Sequence, residues 1–93
     1  MIDNIKVICL VGADYWENFS EEYDIGIRNK CIILINRIDN YDTMEDIFFK
    51  QIDLADELVI INHYEDITDG VKKQIKYAES LNKSIKYISE ELK

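Results

Sequence analysis

Short apolar runs alternate along the chain with stretches in which apolar residues recur every three or four positions. The runs are rich in β-branched residues, which is typical of strands covered on both faces of a sheet. They lie at residues 5–11, 31–35, 57–62 and 85–88. The stretches between them have the periodicity of amphipathic helices. This β-α-β-α-β-α-β order predicts a three-layer α/β fold, Rossmann-like or flavodoxin-like. Its parallel sheet is expected to have the strand order 2-1-3-4, with helices on both faces.

Each predicted helix begins near a residue whose side chain can cap it. The candidate caps are Asp14 (with Glu17 as a capping-box partner), Asp42 or Thr43, and Thr68 or Asp69. The expected core-facing residues are Trp16, Phe19, Tyr23 and Ile27, then Met44, Ile47, Phe48 and Ile52, then Val71, Ile75, Ala78 and Leu81. Asn82 can adopt the left-handed conformation that ends the third helix. Residues 36–41 are polar and are expected to form a loop.

Length and charge narrow the class of protein. The 93 residues form a single domain, residues 1–93, with a modest core. The net charge of −8 argues against non-specific nucleic-acid binding and against docking on anionic membranes. Since Asp3 and Lys6 interrupt the first apolar stretch, we expect no signal peptide. No apolar run approaches the roughly 20 residues that span a bilayer.

The two cysteines and the single histidine offer little redox or metal chemistry. Cys9 and Cys31 both lie in predicted strands, so we expect buried free thiols in a reducing cytosol, with a disulfide between neighbouring strands as the alternative. No Cys-x-x-Cys or Cys/His spacing is present. We therefore expect a cytoplasmic protein without a metal site or a cofactor.

The predicted topology places the binding site before any motif is considered. In open parallel sheets, ligands bind at the carboxyl ends of the strands, near the point where the strand order reverses. This rule selects the loops at residues 12–16, 36–41 and 62–70.

Three segments resemble the nucleoside 2-deoxyribosyltransferase-like family, most closely its short phage and bacterial members. They are KVICLVG at residues 6–12, QIDLADELVIIN at 51–62 and ITDGVKKQIKYAESLNKSIKYI at 67–88. In that family a glutamate near the start of the last long helix attacks the sugar carbon, as in a retaining glycosidase. Gln74 stands at the position where this glutamate is expected. Because an amide is neutral and a poor nucleophile, the resemblance implies a pocket without catalysis.

The turn after the first strand also departs from the family pattern. The family favours a small hydroxyl residue and then often a basic one, at a helix N-terminus suited to phosphate. Here the residues are Ala13 and Asp14. Asp14 would repel a phosphate, so the usual 5′-phosphate site is not expected at this turn.

The candidate ligand-binding residues follow from the loops and from the resemblance. They are Gly12, Ala13, Asp14, Tyr15, Arg37, Asn62, His63, Tyr64, Asp69, Gly70 and Gln74. Tyr15 could stack on a base, and Arg37 is the candidate anion contact. Each has a structural alternative: Asp69 and Gly70 fit a helix cap and turn, and Gln74 would be solvent-exposed if the helix register slipped by one. Asp53 and Asp56 match family positions, with capping or solvation as alternatives, and Lys72 and Lys73 are expected to face solvent.

We therefore expect a protein that binds or sequesters a nucleoside- or nucleotide-derived ligand without processing it, for example a phage anti-defence protein that removes a nucleotide signal. One alternative is an active N-glycosidase or 2-deoxyribosyltransferase in which Asp69 or Glu65 replaces the nucleophile. Another is a protein-interaction module on the same fold. The resemblance also implies a homo-oligomer, because family pockets are often completed by a neighbouring subunit.

Overall fold

A computed structural model describes residues 5–13, 16–38, 45–62 and 68–88. The strands are β1 (Val7–Gly12), β2 (Ile32–Arg37), β3 (Glu57–Ile61) and β4 (Ser84–Tyr87). The helices are α1 (Trp16–Arg28), α2 (Glu45–Leu54) and α3 (Asp69–Ser80). Within the described part of the chain, no helix is long and apolar enough to cross a membrane.

The strands form one parallel sheet in the order β2-β1-β3-β4. This confirms the predicted α/β fold class and strand order, and the architecture is Rossmann-like or flavodoxin-like. Near the carboxyl edge, Val11 pairs with Asn36 on one side and with Ile60 on the other. Side chains at paired positions of a parallel sheet share a face, so Asn36 lies on the same face as the apolar residues Val11 and Ile60.

Two apolar clusters lie on opposite faces of the sheet. The smaller cluster packs under α1 and consists of Leu10, Phe19, Ile61 and Ile88. The larger cluster packs under α2 and α3 and consists of Cys9, Val11, Ile52, Ala55, Leu58, Ile60, Val71, Ile75 and Ala78. Side chains alternate between the faces along a strand, so β1 and β3 each contribute to both clusters. The helices α2 and α3 therefore lie together on the face that carries Asn36.

Helix α1 contacts the sheet through fewer residues than its apolar pattern predicts. Phe19 is fully buried, but Trp16, Tyr23 and Ile27 are 53%, 41% and 47% exposed, so the prediction that they face the core is wrong. The residue before Ile27, Gly26, is buried, and a Cβ there would overlap the end of the Ile33 side chain. Helix α1 approaches the sheet closely at Gly26, and Trp16, Tyr23 and Ile27 remain at the surface.

Helices α2 and α3 follow the prediction more closely. Phe48 and Ile52 of α2, and Val71, Ile75 and Ala78 of α3, are buried or half-buried as expected. The prediction that Ile47 and Leu81 face the core is wrong, because their side chains are 51% and 40% exposed. Each residue lies at the margin of the apolar stripe of its helix. Met44 and the candidate caps Asp14, Asp42 and Thr43 lie outside the described residues.

The ends of α3 match their predicted capping residues. Thr68 is the N-cap, and its Oγ1 accepts a hydrogen bond from the Val71 backbone N–H at 3.3 Å. This contact satisfies one of the backbone donors left unpaired at a helix start. Asn82 follows the helix with a φ of 59°, the left-handed conformation expected for it.

Strand β2 begins and ends later than predicted. Asn36 and Arg37 belong to the strand and not to the expected loop, because the β1 pairing continues through Gly12 and Arg37. Cys31 lies just before β2 and is half-buried, so its placement inside a strand is wrong, whereas Cys9 is buried in β1. Both thiols are free. Burial raises the pKa of the Cys9 thiol to about 12.

Charged side chains form ion pairs and hydrogen bonds at the amino edge of the sheet. The carboxylate of Glu57 is buried and lies 2.8 Å from Lys6 Nζ and 3.7 Å from Lys86 Nζ. The hydrogen bond to Glu57 raises the pKa of Lys6 above its usual value. Asp56 Oδ2 accepts a hydrogen bond from the Val7 backbone N–H at 2.8 Å, which joins β1 to the start of β3. Asp56 therefore has a structural role at the edge opposite the expected binding site.

Candidate functional site

A cavity of about 450 Å³ opens between α2 and α3 at the carboxyl side of the sheet. This volume lies within the range of about 300–1,000 Å³ that is common for small-molecule sites. Its described lining residues are Ile38, Glu45, Phe48, Phe49, Asp69, Gly70, Lys72, Lys73, Gln74 and Lys76. Ile38 follows β2, Asp69 and Gly70 begin α3, and the phenylalanines belong to α2, so the fold itself brings these groups together.

Gln74 is buried at the inner end of this cavity. Its side chain is 3% exposed, although it stands on α3 between the charged residues Lys73 and Lys76. Val71, Ile75 and Ala78 fix the sheet-facing side of α3, and Gln74 lies one turn after Val71 and one turn before Ala78. The prediction that Gln74 faces a pocket is therefore consistent with the structure, and the slipped register that would expose it does not occur.

A chain of three side-chain amides crosses the layer between the sheet and the two helices. Asn36, which is fully buried in β2, donates from Nδ2 to Gln74 Oε1 at 3.0 Å and to the Phe48 backbone oxygen at 2.9 Å. Asn36 Oδ1 accepts a hydrogen bond from Gln51 Nε2 of α2. Gln51 Nε2 also donates to the Ile35 backbone oxygen at 3.2 Å. We call Gln51, Asn36 and Gln74 the amide chain.

Aromatic side chains form the α2 wall of the cavity. Phe48 and Phe49 line it, and the Phe49 ring lies 4.5 Å from the Tyr77 ring between centroids. The Tyr77 hydroxyl donates to Asp53 Oδ1 at 2.6 Å, which joins α3 to α2. This hydrogen bond raises the pKa of Tyr77 above its usual value. Asp53 thus serves to hold the two helices together and is not among the described lining residues.

The rim of the cavity is richer in cations than the chain as a whole. Lys72, Lys73 and Lys76 line it together with two carboxylates, Glu45 and Asp69, while the chain carries a net charge of −8. Lys73 Nζ lies 2.9 Å from Glu45 Oε1 and joins the start of α2 to α3. All three lysines are exposed, as was expected for Lys72 and Lys73, and all three also line the cavity. The rim therefore favours an anionic group on a ligand locally, against the charge of the whole protein.

The structure brings some of the predicted site residues together and separates others. Asp69, Gly70 and Gln74 line the cavity. Gly12, Ala13, Arg37 and Asn62 lie at the same edge of the sheet, but they are not among the described lining residues. Asp14, Tyr15, His63 and Tyr64 lie outside the described residues, as does Glu65.

Arg37 illustrates why the carboxyl edge does not act as one site. It pairs with Gly12 in the register that continues to Ile61, and Ile61 packs in the cluster under α1. The side chain of Arg37 therefore projects on the face opposite the cavity. As an anion contact for a ligand in this cavity, Lys72 and Lys76 are better placed than Arg37.

Gly12 and Gly70 make close approaches that larger residues would disturb. A Cβ at Gly12 would overlap the backbone oxygen of Ile61, so glycine is needed where β1 meets β3. A Cβ at Gly70 would lie 3.1 Å from Ile38 Cγ2 in the cavity wall. Gly12 is therefore needed for the packing of β1 against β3, whereas the absence of a side chain at Gly70 leaves space in the cavity.

We did not predict five of the site residues from the sequence: Asn36, Gln51, Phe48, Phe49 and Lys76. Asn36 was assigned to a loop, although it lies two residues after Leu34 and so continues the inward-facing alternation of β2. Gln51 lies beside the buried Ile52, as Gln74 lies beside Ile75. Amides next to core positions on two neighbouring helices were the signal that could have indicated the amide chain.

The described residues contain no group of three or more histidine, cysteine, aspartate or glutamate side chains that could hold a metal ion. Comparison of the chain with protein-family models, with curated proteins and with solved structures found no match. The fold and the cavity thus define the class: a small Rossmann-like α/β domain with an amide-floored cavity between two helices. The family resemblance of the three segments remains an expectation.

Proposed function

We propose that the protein binds a nucleoside- or nucleotide-derived small molecule in the α2–α3 cavity and releases it unchanged. The observation that carries this proposal is Gln74, a neutral amide held at the inner end of a cavity that has aromatic and cationic walls. The aromatic rings of Phe48 and Phe49 suit a flat base, and Lys72 and Lys76 suit an anionic group. An amide can hydrogen-bond such a ligand but is a poor nucleophile towards a sugar carbon.

The primary test is mass spectrometry of small molecules released when the purified protein is denatured, followed by thermal-shift measurements with a nucleoside and nucleotide panel. We expect a ligand that contains a base, recovered intact. A ligand present at about 100 times its Kd stabilises the folded protein by about 2.7 kcal/mol. Free base accumulating in proportion to incubation time would overturn the proposal that the protein does not process its ligand.

Matched charge variants test whether the cavity is the site. Lys72→Gln and Lys76→Gln should each weaken binding of a nucleotide more than of the corresponding nucleoside. Lys50→Gln is the control, since Lys50 is an exposed α2 lysine outside the described cavity lining, and this change removes the same charge. Equal losses in all three variants would place the anion contact elsewhere.

Sequestration is the physiological role we propose for such binding. A protein that removes a nucleotide signal, as a phage protein opposing a host defence messenger would, needs tight binding and an intact ligand. The test is to incubate an excess of protein with an ADP-ribose-type messenger, measure the free messenger, and then heat the complex. We expect depletion followed by recovery of the intact messenger, and recovery of a cleaved product would contradict sequestration.

One observation favours a second candidate, an active N-glycosidase or deoxyribosyltransferase. Asp69 lines the same cavity as Gln74 and could supply a carboxylate. In that case the protein would release free base from a nucleoside panel, and Asp69→Asn would abolish the release. The Gln74→Glu variant adds a second readout, because a carboxylate at that position supplies the nucleophile that the amide lacks. Base release by Gln74→Glu alone would indicate a competent pocket that lacks its nucleophile in the natural sequence.

A further inference from the structure

The hydrogen bonds of the amide chain run in one donor-to-acceptor direction. Two backbone carbonyl oxygens determine that direction. A carbonyl oxygen can only accept a hydrogen bond, so the Asn36 atom that lies 2.9 Å from the Phe48 oxygen must be its nitrogen. In the same way, the Gln51 atom that lies 3.2 Å from the Ile35 oxygen must be its nitrogen. These two contacts fix both amides without reference to any other side chain.

The orientation of Gln74 follows from that of Asn36. With Nδ2 of Asn36 directed at the Phe48 oxygen, its Oδ1 accepts from Gln51, and the second N–H of Nδ2 points at Gln74. The Gln74 atom at 3.0 Å from Asn36 Nδ2 is therefore the oxygen. Turning the Gln74 amide over would bring two N–H groups together in a buried place, where leaving a hydrogen bond unmade is unfavourable. The nitrogen of Gln74 is thus the end left for the cavity.

We propose that Gln74 presents a fixed hydrogen-bond donor to the ligand, and that Asn36 and Gln51 are positioning residues that hold it in this orientation. This inference rests on the proposed function, since it concerns the same cavity. The site then selects ligands that place an acceptor at the cavity floor, such as a carbonyl oxygen, a ring nitrogen or an ether oxygen. A group that can only donate would face the N–H of Gln74 and leave both unsatisfied.

The amide chain also explains how Gln74, which is buried beside lysines, keeps a single orientation and so a single hydrogen-bonding preference. An isolated buried glutamine amide can turn over and exchange donor for acceptor, because its two ends have nearly the same shape. Here Asn36 donates both of its N–H groups, one to the Phe48 oxygen and one to Gln74 Oε1. Backbone oxygens therefore orient Gln51 and Asn36, and Asn36 in turn orients the Gln74 amide.

The orientation can be measured on the protein without any ligand. In ¹⁵N-labelled protein, the side-chain NH₂ protons of Asn36 should exchange slowly with water, and those of Gln74 should exchange faster. Nuclear Overhauser contacts should place the Gln74 NH₂ group toward the cavity and not against Asn36. Slow exchange of the Gln74 NH₂ protons, together with contacts to Asn36, would overturn the proposed orientation whatever the ligand is.

Two neutral aromatic probes of similar size test the consequence for binding. Quinoline carries a ring nitrogen that accepts, and indole carries a ring N–H that donates. Titrations followed by protein NMR should show quinoline binding about tenfold more tightly than indole, which corresponds to one well-formed hydrogen bond against an unsatisfied one. Equal binding of the two probes at the cavity would refute the donor assignment. Failure of both probes to bind there, with the orientation confirmed, would count against the cavity as an aromatic site and hence against the proposed function.

Three variants separate the donor itself from its positioning. Gln74→Glu replaces the donor by an acceptor and should reverse the preference in favour of indole. Gln74→Met keeps the length of the side chain but removes the amide, and should make the two probes bind equally. Asn36→Ala leaves Gln74 in place but frees it to turn over, so the preference should fall by most of its tenfold value. If Asn36→Ala folds and keeps the full preference, Asn36 is not a positioning residue, and if it does not fold, the NMR contacts of the natural protein decide.

Discussion

Replacing Asn36 by alanine tests whether the amide chain contributes to stability as its contacts indicate. The change removes the hydrogen bonds from Nδ2 to the Phe48 oxygen and to Gln74 Oε1, and the one accepted by Oδ1 from Gln51. A hydrogen bond of this kind contributes about 1 kcal/mol net. We therefore expect the free energy of unfolding to fall by about 3 kcal/mol. That is a large part of the roughly 5–15 kcal/mol that stabilises a typical domain.

The same variant should unfold at a clearly lower temperature. For domains of this size, 1 kcal/mol corresponds to a shift in Tm of roughly 4–8 °C, so we expect a decrease of roughly 10–25 °C. The measurement is equilibrium urea unfolding followed by far-UV circular dichroism, with linear extrapolation to water. Thermal scans provide an independent check.

The control is Gln74→Ala, which removes a single contact of the chain at its cavity end and should cost about 1 kcal/mol. Since Asn36 and Gln74 share a hydrogen bond, the double variant should cost less than the sum of the single variants, by about 1 kcal/mol. A cost for Asn36→Ala below that of Gln74→Ala would show that the three contacts of Asn36 do not stabilise the fold as proposed. Strict additivity would show that the two amides do not interact.

Three further predictions concern other parts of the molecule. Because burial raises the pKa of Cys9 to about 12, Cys31 alone should react with a thiol reagent at pH 8 in the folded protein, and both should react in urea, as counted by mass spectrometry. Gly12→Ala should destabilise the protein by about 1–3 kcal/mol in urea unfolding, because its methyl group would overlap the Ile61 backbone oxygen, and an unchanged midpoint would contradict this packing role. We expect self-association through the exposed apolar residues Trp16, Tyr23 and Ile27 of α1, so Ile27→Lys should lower the mass measured by analytical ultracentrifugation. A natural protein that is already monomeric would disprove this expectation.

The fold could be predicted because its signals are local and repeated. Each strand is a short apolar run, and in each helix apolar residues recur every three or four positions. Thr68 and Asn82 mark the ends of α3 as expected. A parallel sheet with right-handed connections then leaves few arrangements. The wrong predictions on α1 arose because periodicity indicates which side of a helix is apolar, but not how much sheet or helix lies above it. Trp16 and Ile27 continue an apolar stripe beyond the surface that α1 covers.

The site was predicted in part, for a different physical reason. Gln74 was found because a resemblance pointed to it and because its neighbours on α3 fix the helix register. Asn36 was missed because a polar residue after an apolar run usually marks the end of a strand, and the reason it is buried here lies 15 and 38 positions away, in Gln51 and Gln74. Contacts between residues so far apart in the chain leave no periodic signal. A polar site of this kind is seen only after the elements have been assembled.

The position of the amide chain connects the stability of the fold with the chemistry of the cavity. Asn36 hydrogen-bonds both helices that form the cavity, through the Phe48 oxygen on α2 and Gln74 on α3. The contacts that set the orientation of the Gln74 amide are therefore the same ones that join the helices to β2. We therefore expect a substitution at Asn36 to change stability and ligand preference together, and a substitution at Gln74 to change mainly the preference. If the two effects were found to vary independently across the variants, the cavity floor and the helix packing would have to rest on different contacts.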